Sequence, residues 1–214
     1  MKKYVLLVAT LLTLGGTTAI AQDVKLGAKA GVNFAKISGE AVEDADGRTG
    51  FHLGFVAEIP LSERFAIQPE LVYSQQGLQS KDTFDGTEFE TKLKLDYLNV
   101  PVMAKFYLVD GLSIEAGPQF GFNINAKQET EISGGDGDGD FDITGEEDLK
   151  DEVSGFDLGI GGGLAYQLDN GLFFQGRYIY GLSNIPEDVD DAQGEDVEDD
   201  AVNSVLSLSV GFKF

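Results

Sequence analysis

Leu206-Ser207-Leu208-Ser209-Val210-Gly211-Phe212-Lys213-Phe214 alternates apolar and polar residues without a break. Successive strand side chains point to opposite faces, so this segment is a strand with one apolar and one polar side. The same period-2 pattern recurs along the chain behind an export signal. Alternation in every strand means that each one separates two different environments. The combination predicts an all-β fold: an eight-stranded antiparallel up-and-down transmembrane β-barrel in an outer membrane.

The N-terminus carries the export signal. Lys2 and Lys3 form a charged start, Tyr4 to Leu14 an apolar stretch, and Ala19-Ile20-Ala21 a small-residue cleavage site before Gln22. Residues 1–21 are expected to be removed, leaving 22–214 as one barrel domain. The apolar stretch is too short to span a membrane as a helix, and no other segment approaches the roughly 20 apolar residues needed. The chain has no Cys, which excludes disulfides, thiol nucleophiles and thiolate metal sites. Its net charge is -22, and 28 of its 37 acids fall in residues 38–49, 77–92, 127–152 and 184–201. Binding nucleic acid requires clustered Lys and Arg, so nucleic acid is not expected as a partner.

Eight strands are read: Val24–Ile37, Thr49–Pro60, Arg64–Gln76, Leu93–Leu108, Leu112–Ala126, Val153–Leu168, Gly171–Leu182 and Val202–Phe214. The fifth alternates most cleanly, with Leu112, Ile114, Ala116, Pro118, Phe120, Phe122 and Ile124 against Ser113, Glu115, Gly117, Gln119, Gly121 and Asn123. The fourth changes phase: Leu93, Leu95 and Tyr97 give way to Leu98, Val100, Val102, Ala104 and Phe106. A β-bulge near Tyr97–Leu98 is expected there, since one extra residue re-aims everything after it.

Connections alternate between long and short. The four acid-rich segments are read as long loops, whereas Pro60–Glu63, Val109–Gly111 and Asp169–Gly171 are tight turns. Asp110-Gly111 and Asn170-Gly171 supply the positive φ that hairpin turns require. In an up-and-down barrel all long loops then lie at one rim. Outer-membrane barrels share this asymmetry, with long loops extracellular and both mature termini periplasmic.

Alternation alone does not say which face is outside, because a soluble lipocalin-like barrel also has eight strands. The polar face decides. It carries Gly27, Gly31, Gly54, Gly117, Gly121, Gly159, Gly161 and Gly163, which suit a crowded narrow lumen better than a water-facing surface. The lumen set is Lys29, Glu58, Gln68, Glu70, Lys105, Glu115, Gln119, Asp157 and Arg177. Buried charges must be paired, so a side-chain-filled interior without a sizeable pore is expected. An ion path is the alternative.

Three segments carry a family resemblance: Tyr97-Leu98-Asn99-Val100-Pro101-Val102-Met103-Ala104-Lys105, Glu115 to Gly121, and Gly176-Arg177-Tyr178-Ile179-Tyr180-Gly181-Leu182-Ser183-Asn184-Ile185. They resemble the PorT-type outer-membrane β-barrel family, a relative in architecture of OmpX- and OmpA-like barrels. The resemblance implies a porin-like or secretion-associated protein. The last strand resembles the signal read by the barrel-assembly machinery. Deleting Phe214 is therefore expected to impair assembly, and normal heat-modifiable barrel formation without it would contradict that reading.

Two chemical possibilities remain. Some eight-stranded barrels modify lipids with a Ser/His pair and an acid, but His52 is the sole histidine and no motif sets a serine beside it. No enzyme activity and no cofactor are expected. Asp136, Asp138, Asp140, Asp142 and Glu147, with Thr144, fit the spacing of a calcium-loop template. Phe141 breaks it where Gly is needed. That segment reads as a weak Ca²⁺ loop, a divalent-ion bridge to lipopolysaccharide, or an acidic loop without fixed structure. The expected protein is a monomer in contact with outer-membrane lipid and lipopolysaccharide, its long acidic extracellular loops serving a structural, adhesive or partner-binding role, with a small porin-like channel or secretion-associated component as the alternative.

Overall fold

The computed structural model describes residues 24–38, 46–84, 86–135, 140–150, 152–185 and 201–214. The leader expected at residues 1–21 lies outside them. Nine antiparallel strands are present: β1 (Lys25–Ser38), β2 (Asp46–Pro60), β3 (Phe65–Phe84), β4 (Thr87–Val109), β5 (Leu112–Gly135), β6 (Asp140–Asp148), β7 (Phe156–Gln167), β8 (Leu172–Asn184) and β9 (Val202–Lys213). Eight close a ring in the order β1, β2, β3, β4, β5, β7, β8, β9, with β9 paired back to β1 from Gly27↔Lys213 to Ser38↔Val202. The eight-stranded up-and-down barrel is borne out. Two of the tight turns form at Gly111 (φ 81°) and Gly171 (φ 91°), a left-handed conformation that favours glycine.

The apolar faces point outward. Leu53, Phe55, Leu164 and Phe174 are 51%, 67%, 56% and 50% exposed, while Glu70 and Arg177 are each 4% exposed inside. Covering one such apolar side chain with hydrocarbon contributes about 1–3 kcal/mol, and a ring of them left in water would be untenable. Aromatic residues mark two belts: Phe65, Phe106, Tyr166, Phe174 and Phe212 near the turns, and Phe34, Phe51, Tyr73, Phe122 and Phe156 towards the other rim. Phe51 packs on Tyr73 at 5.8 Å and Phe122 on Phe156 at 5.7 Å between ring centroids. Eight residues separate Phe65 from Tyr73. At about 3.3 Å per residue and a tilt near 40°, that spans about 20 Å, close to the apolar band of a membrane barrel.

The ladder departs from the expectation in three places. First, β4 keeps one phase: Leu95, Tyr97, Asn99, Pro101, Met103 and Lys105 all face inward. No bulge lies at Tyr97–Leu98. The apolar side changes because the surroundings change. Below Leu98 the strand's outside meets hydrocarbon, while above it the outside meets water and the apolar residues turn to the interior. The bulge is on β5, where Asp96 opposes Asn125 but Tyr97 opposes Asn123, leaving Ile124 as the extra residue. Second, residues 77–92 and 127–152 are mostly strand, not loop. β3 and β4 continue to Phe84 and Thr87, β5 continues to Gly135, and β6 folds back along it from Lys127↔Asp148 to Gly135↔Asp140. Third, β2 begins at Asp46, earlier than Thr49, and β7 begins at Phe156, later than Val153. The β3–β4 ladder keeps one register throughout but is interrupted between Pro69↔Val102 and Val72↔Asn99, around Pro69 and Pro101, neither of which can donate to a ladder.

Candidate functional site

The lumen is filled in layers, each assembled from strands distant in sequence. Nearest the tight turns, Glu58 (β2) receives Lys105 (β4) at 3.0 Å and Lys213 (β9), while the Tyr107 hydroxyl donates to its other oxygen at 2.7 Å. Lys105 also donates to Gln68 at 3.3 Å, which joins this layer to the next.

The second layer centres on Arg177 (β8). Its guanidinium fork binds Glu70 (β3) through two bonds of 2.9 and 2.7 Å, and its Nε donates to Glu115 (β5) at 2.7 Å. Lys29 (β1) meets Glu70 at 2.7 Å and Gln175 at 2.9 Å, and Gln175 donates to Glu115 at 3.0 Å. Bidentate Arg–carboxylate geometry is among the strongest polar contacts, and here every oxygen of both acids has a donor.

A third layer is neutral. Asn33 donates to Ser74 at 2.9 Å, and its Oδ1 lies 2.8 Å from His52 Nδ1; His52 Nε2 lies 2.8 Å from Ser209 Oγ. The structure thus brings a serine and an asparagine to His52, which the sequence reading did not find. The arrangement has the spacing of a nucleophile, base and orienting group. All three residues are buried, however, and the adjoining lumen cavity is only about 20 Å³, space for about one water rather than an ester.

The fourth layer is apolar: Ile37, Leu95, Tyr97, Ala126, Val153, Ile185 and Ala201 close the end opposite the turns, with Leu78, Leu93 and Leu149 packed on them. At the turn end an open mouth of about 640 Å³ leads in as far as Glu58, bordered by Lys25, Arg64, Asp110 and Asp169.

Every residue of the expected lumen set faces inward. Asp157 is only half-buried and is held by the Ser183 hydroxyl at 2.7 Å. Asn33 and Gln175, which alternation also sets on the polar faces of their strands, join that set, while Lys213 and the apolar layer were missed. Lys213 could have been recovered from its position opposite Phe212 and Phe214 in the last strand. Of the calcium-loop acids, Asp136 and Asp138 lie outside the described residues, and Asp140 opens β6. Asp142 and Glu147 occupy opposite faces of β6, since five residues separate them in a period-2 strand. Among the described residues no group of three or more His, Asp or Glu is arranged to hold a metal ion.

Beyond the ring, β3, β4, β5 and β6 form a projecting four-stranded sheet. One face carries the ion pairs Lys81–Glu90 (3.2 Å), Lys92–Glu90 (3.1 Å), Lys92–Glu131 (3.3 Å), Lys94–Glu129 and Lys127–Glu146 (2.6 Å). The hydrogen bond from Lys94 holds the Glu129 carboxyl below the ordinary carboxylate range, and that from Lys127 to Glu146 raises the lysine. Surface pairs of this kind contribute little stability singly, but they specify the register of a charged sheet.

The structure is similar to that of Ail, the attachment invasion locus protein of Yersinia pestis, at 12% identity and a TM-score of 0.47, covering 90% of this chain and 100% of that one. It is also similar to Neisserial surface protein A (14%, 0.46, 90% and 100%) and to CarO of Acinetobacter baumannii (14%, 0.47, 88% and 97%). No curated protein sequence matches the chain. The family model for the outer membrane protein beta-barrel domain matches residues 20–187, which include β1 to β8 and so every ring strand except β9. With apolar strand faces turned outward and charges enclosed, this chain belongs to the outer membrane protein beta-barrel domain family.

Proposed function

We propose that this outer-membrane barrel is non-enzymatic and conducts no solute, and that it serves as a rigid base displaying its long acidic hairpins to a partner. The filled lumen carries the reading: three polar layers and an apolar one leave a cavity of about 20 Å³ between them. Each of the four buried lumen cations is held by a carboxylate, Lys105 and Lys213 by Glu58, Lys29 by Glu70, and Arg177 by Glu70 and Glu115, so none stands free to line an ion path. In this reading residues 1–21 are removed on export, the hairpin end is extracellular beside lipopolysaccharide, and both mature termini are periplasmic. The protein acts as a monomer, and β9 is the strand presented to the assembly machinery. The resemblance to PorT-type barrels supports the same placement.

The lipid-modifying alternative is disfavoured because Ser209 is buried in the lumen rather than turned to the bilayer. A porin-like channel draws support from the open mouth at the turn end, yet it requires the Arg177 and Glu58 pairs to part. Planar-bilayer recording decides between them. Reconstituted protein is expected to pass no steady current, and a large non-gated conductance would overturn the sealed lumen.

A further inference from the structure

The projecting sheet ends, among the described residues, in a strand paired on one side. Among the described residues β6 pairs only with β5 and stands last in the sheet order. Alternate main-chain N–H and C=O groups of such a strand point away from its neighbour and can accept a further strand.

The two faces of that edge differ. One carries Asp142, Thr144, Glu146 and Asp148, whose nearest cation on β5 is Lys127. The other carries Ile143, which is 59% exposed, with Glu147 four residues further along the same face. Ile143 completes a cross-strand row of Phe89, Ile132 and Ile143 over β4, β5 and β6. Water-facing sheet edges are usually blunted by charge, and these acids do repel acidic strands. Among the described residues no strand lies beside the apolar row at this edge, and the acids on the opposite face call for cations. A second copy of this chain does not satisfy both faces. Antiparallel β6–β6 pairing centred on Thr144 would set Asp142 against Glu146, and like charges directly opposite are destabilising.

We infer that β6 is a docking edge for an extended polypeptide segment of a partner protein, one that alternates Lys or Arg with apolar residues and adds to the sheet as a tenth strand. Its basic residues would lie beside Asp142, Glu146 and Asp148, and its apolar residues would prolong the row ending at Ile143. Main-chain bonds supply affinity in this mode, and alternate side chains supply selectivity. The inference rests on the proposed surface-display role.

The test uses the full chain in zwitterionic nanodiscs and three capped nine-residue peptides: alternating Lys/Val, the same composition in two blocks, and alternating Glu/Val. The alternating Lys/Val peptide should bind, the other two at least tenfold more weakly, and residues 140–148 should gain amide-exchange protection. D142K/D148K should lower Lys/Val affinity at least tenfold. I143D discriminates best, because it adds negative charge yet removes the apolar contact. Strand addition predicts weaker binding, whereas plain electrostatic attraction predicts stronger. Equal binding of the blocked peptide, stronger binding by I143D, unchanged exchange of residues 140–148, or no binding would each overturn the inference. Gel mobility confirms that the variants still form the barrel. Absence of binding with a silent bilayer recording removes only the docking edge; a steady current removes the sealed-barrel reading instead.

Discussion

Arg177→Met is expected to lower the stability of the folded barrel by about 3–5 kcal/mol, the range found when one partner of a buried ion pair is removed. The substitution strips both Glu70 oxygens of their fork and Glu115 of its 2.7 Å donor. Lys29 would remain as the only cation on Glu70, and Glu115 would keep Gln175 alone. Two carboxylates would then stand in a lumen with no room for bulk water. Arg177→Lys should recover part of the loss, since an ammonium keeps the charge but cannot bind Glu70 bidentately while also reaching Glu115. Urea titration in detergent, followed by gel mobility and circular dichroism, measures both. A loss under about 1 kcal/mol for the Met variant would mean that the second layer does not carry the barrel's stability.

Tyr97→Ala should cost a similar amount, about 3–5 kcal/mol, by a different route. Tyr97 is 1% exposed and sits among Leu95, Ala126, Val153 and Ile185. Truncation leaves a cavity in an apolar layer whose strands are held by ring closure and so collapse only partly. The layers beneath it are intact in this variant, so no steady bilayer current should appear despite the lost stability. A current from Tyr97→Ala alone would show that the apolar layer is the only seal and that the Arg177 layer does not block the path.

Fold and lumen were legible to different depths. Alternation is a local property, so Ser113, Glu115, Gly117, Gln119, Gly121 and Asn123 could be assigned to one face from spacing alone. Asp110-Gly111 and Asn170-Gly171 announced their turns for the equally local reason of positive φ. The error at Tyr97–Leu98 has a clear cause. An apolar switch along a strand has two explanations, a slipped register or a changed environment, and the sequence contains both signals without separating them. The slip was real but sat on β5 at Ile124, where both flanking positions are Asn and no change of pattern shows. The projecting strands escaped for a related reason. Thr87, Phe89, Thr91 and Leu93 do alternate with Glu88, Glu90, Lys92 and Lys94, but dense charge made a strand read as a loop.

The sequence by itself determined the barrel class, the two glycine turns, most strand faces and most of the charged residues of the lumen, because each depends on neighbours within a few residues. Only the tertiary structure decided which lumen groups meet. Arg177 lies 107 residues from Glu70 and 62 from Glu115, and His52 lies 157 from Ser209. Those pairings are set by the stagger at which eight strands close into a ring. That stagger is a long-range quantity to which no single strand's pattern refers.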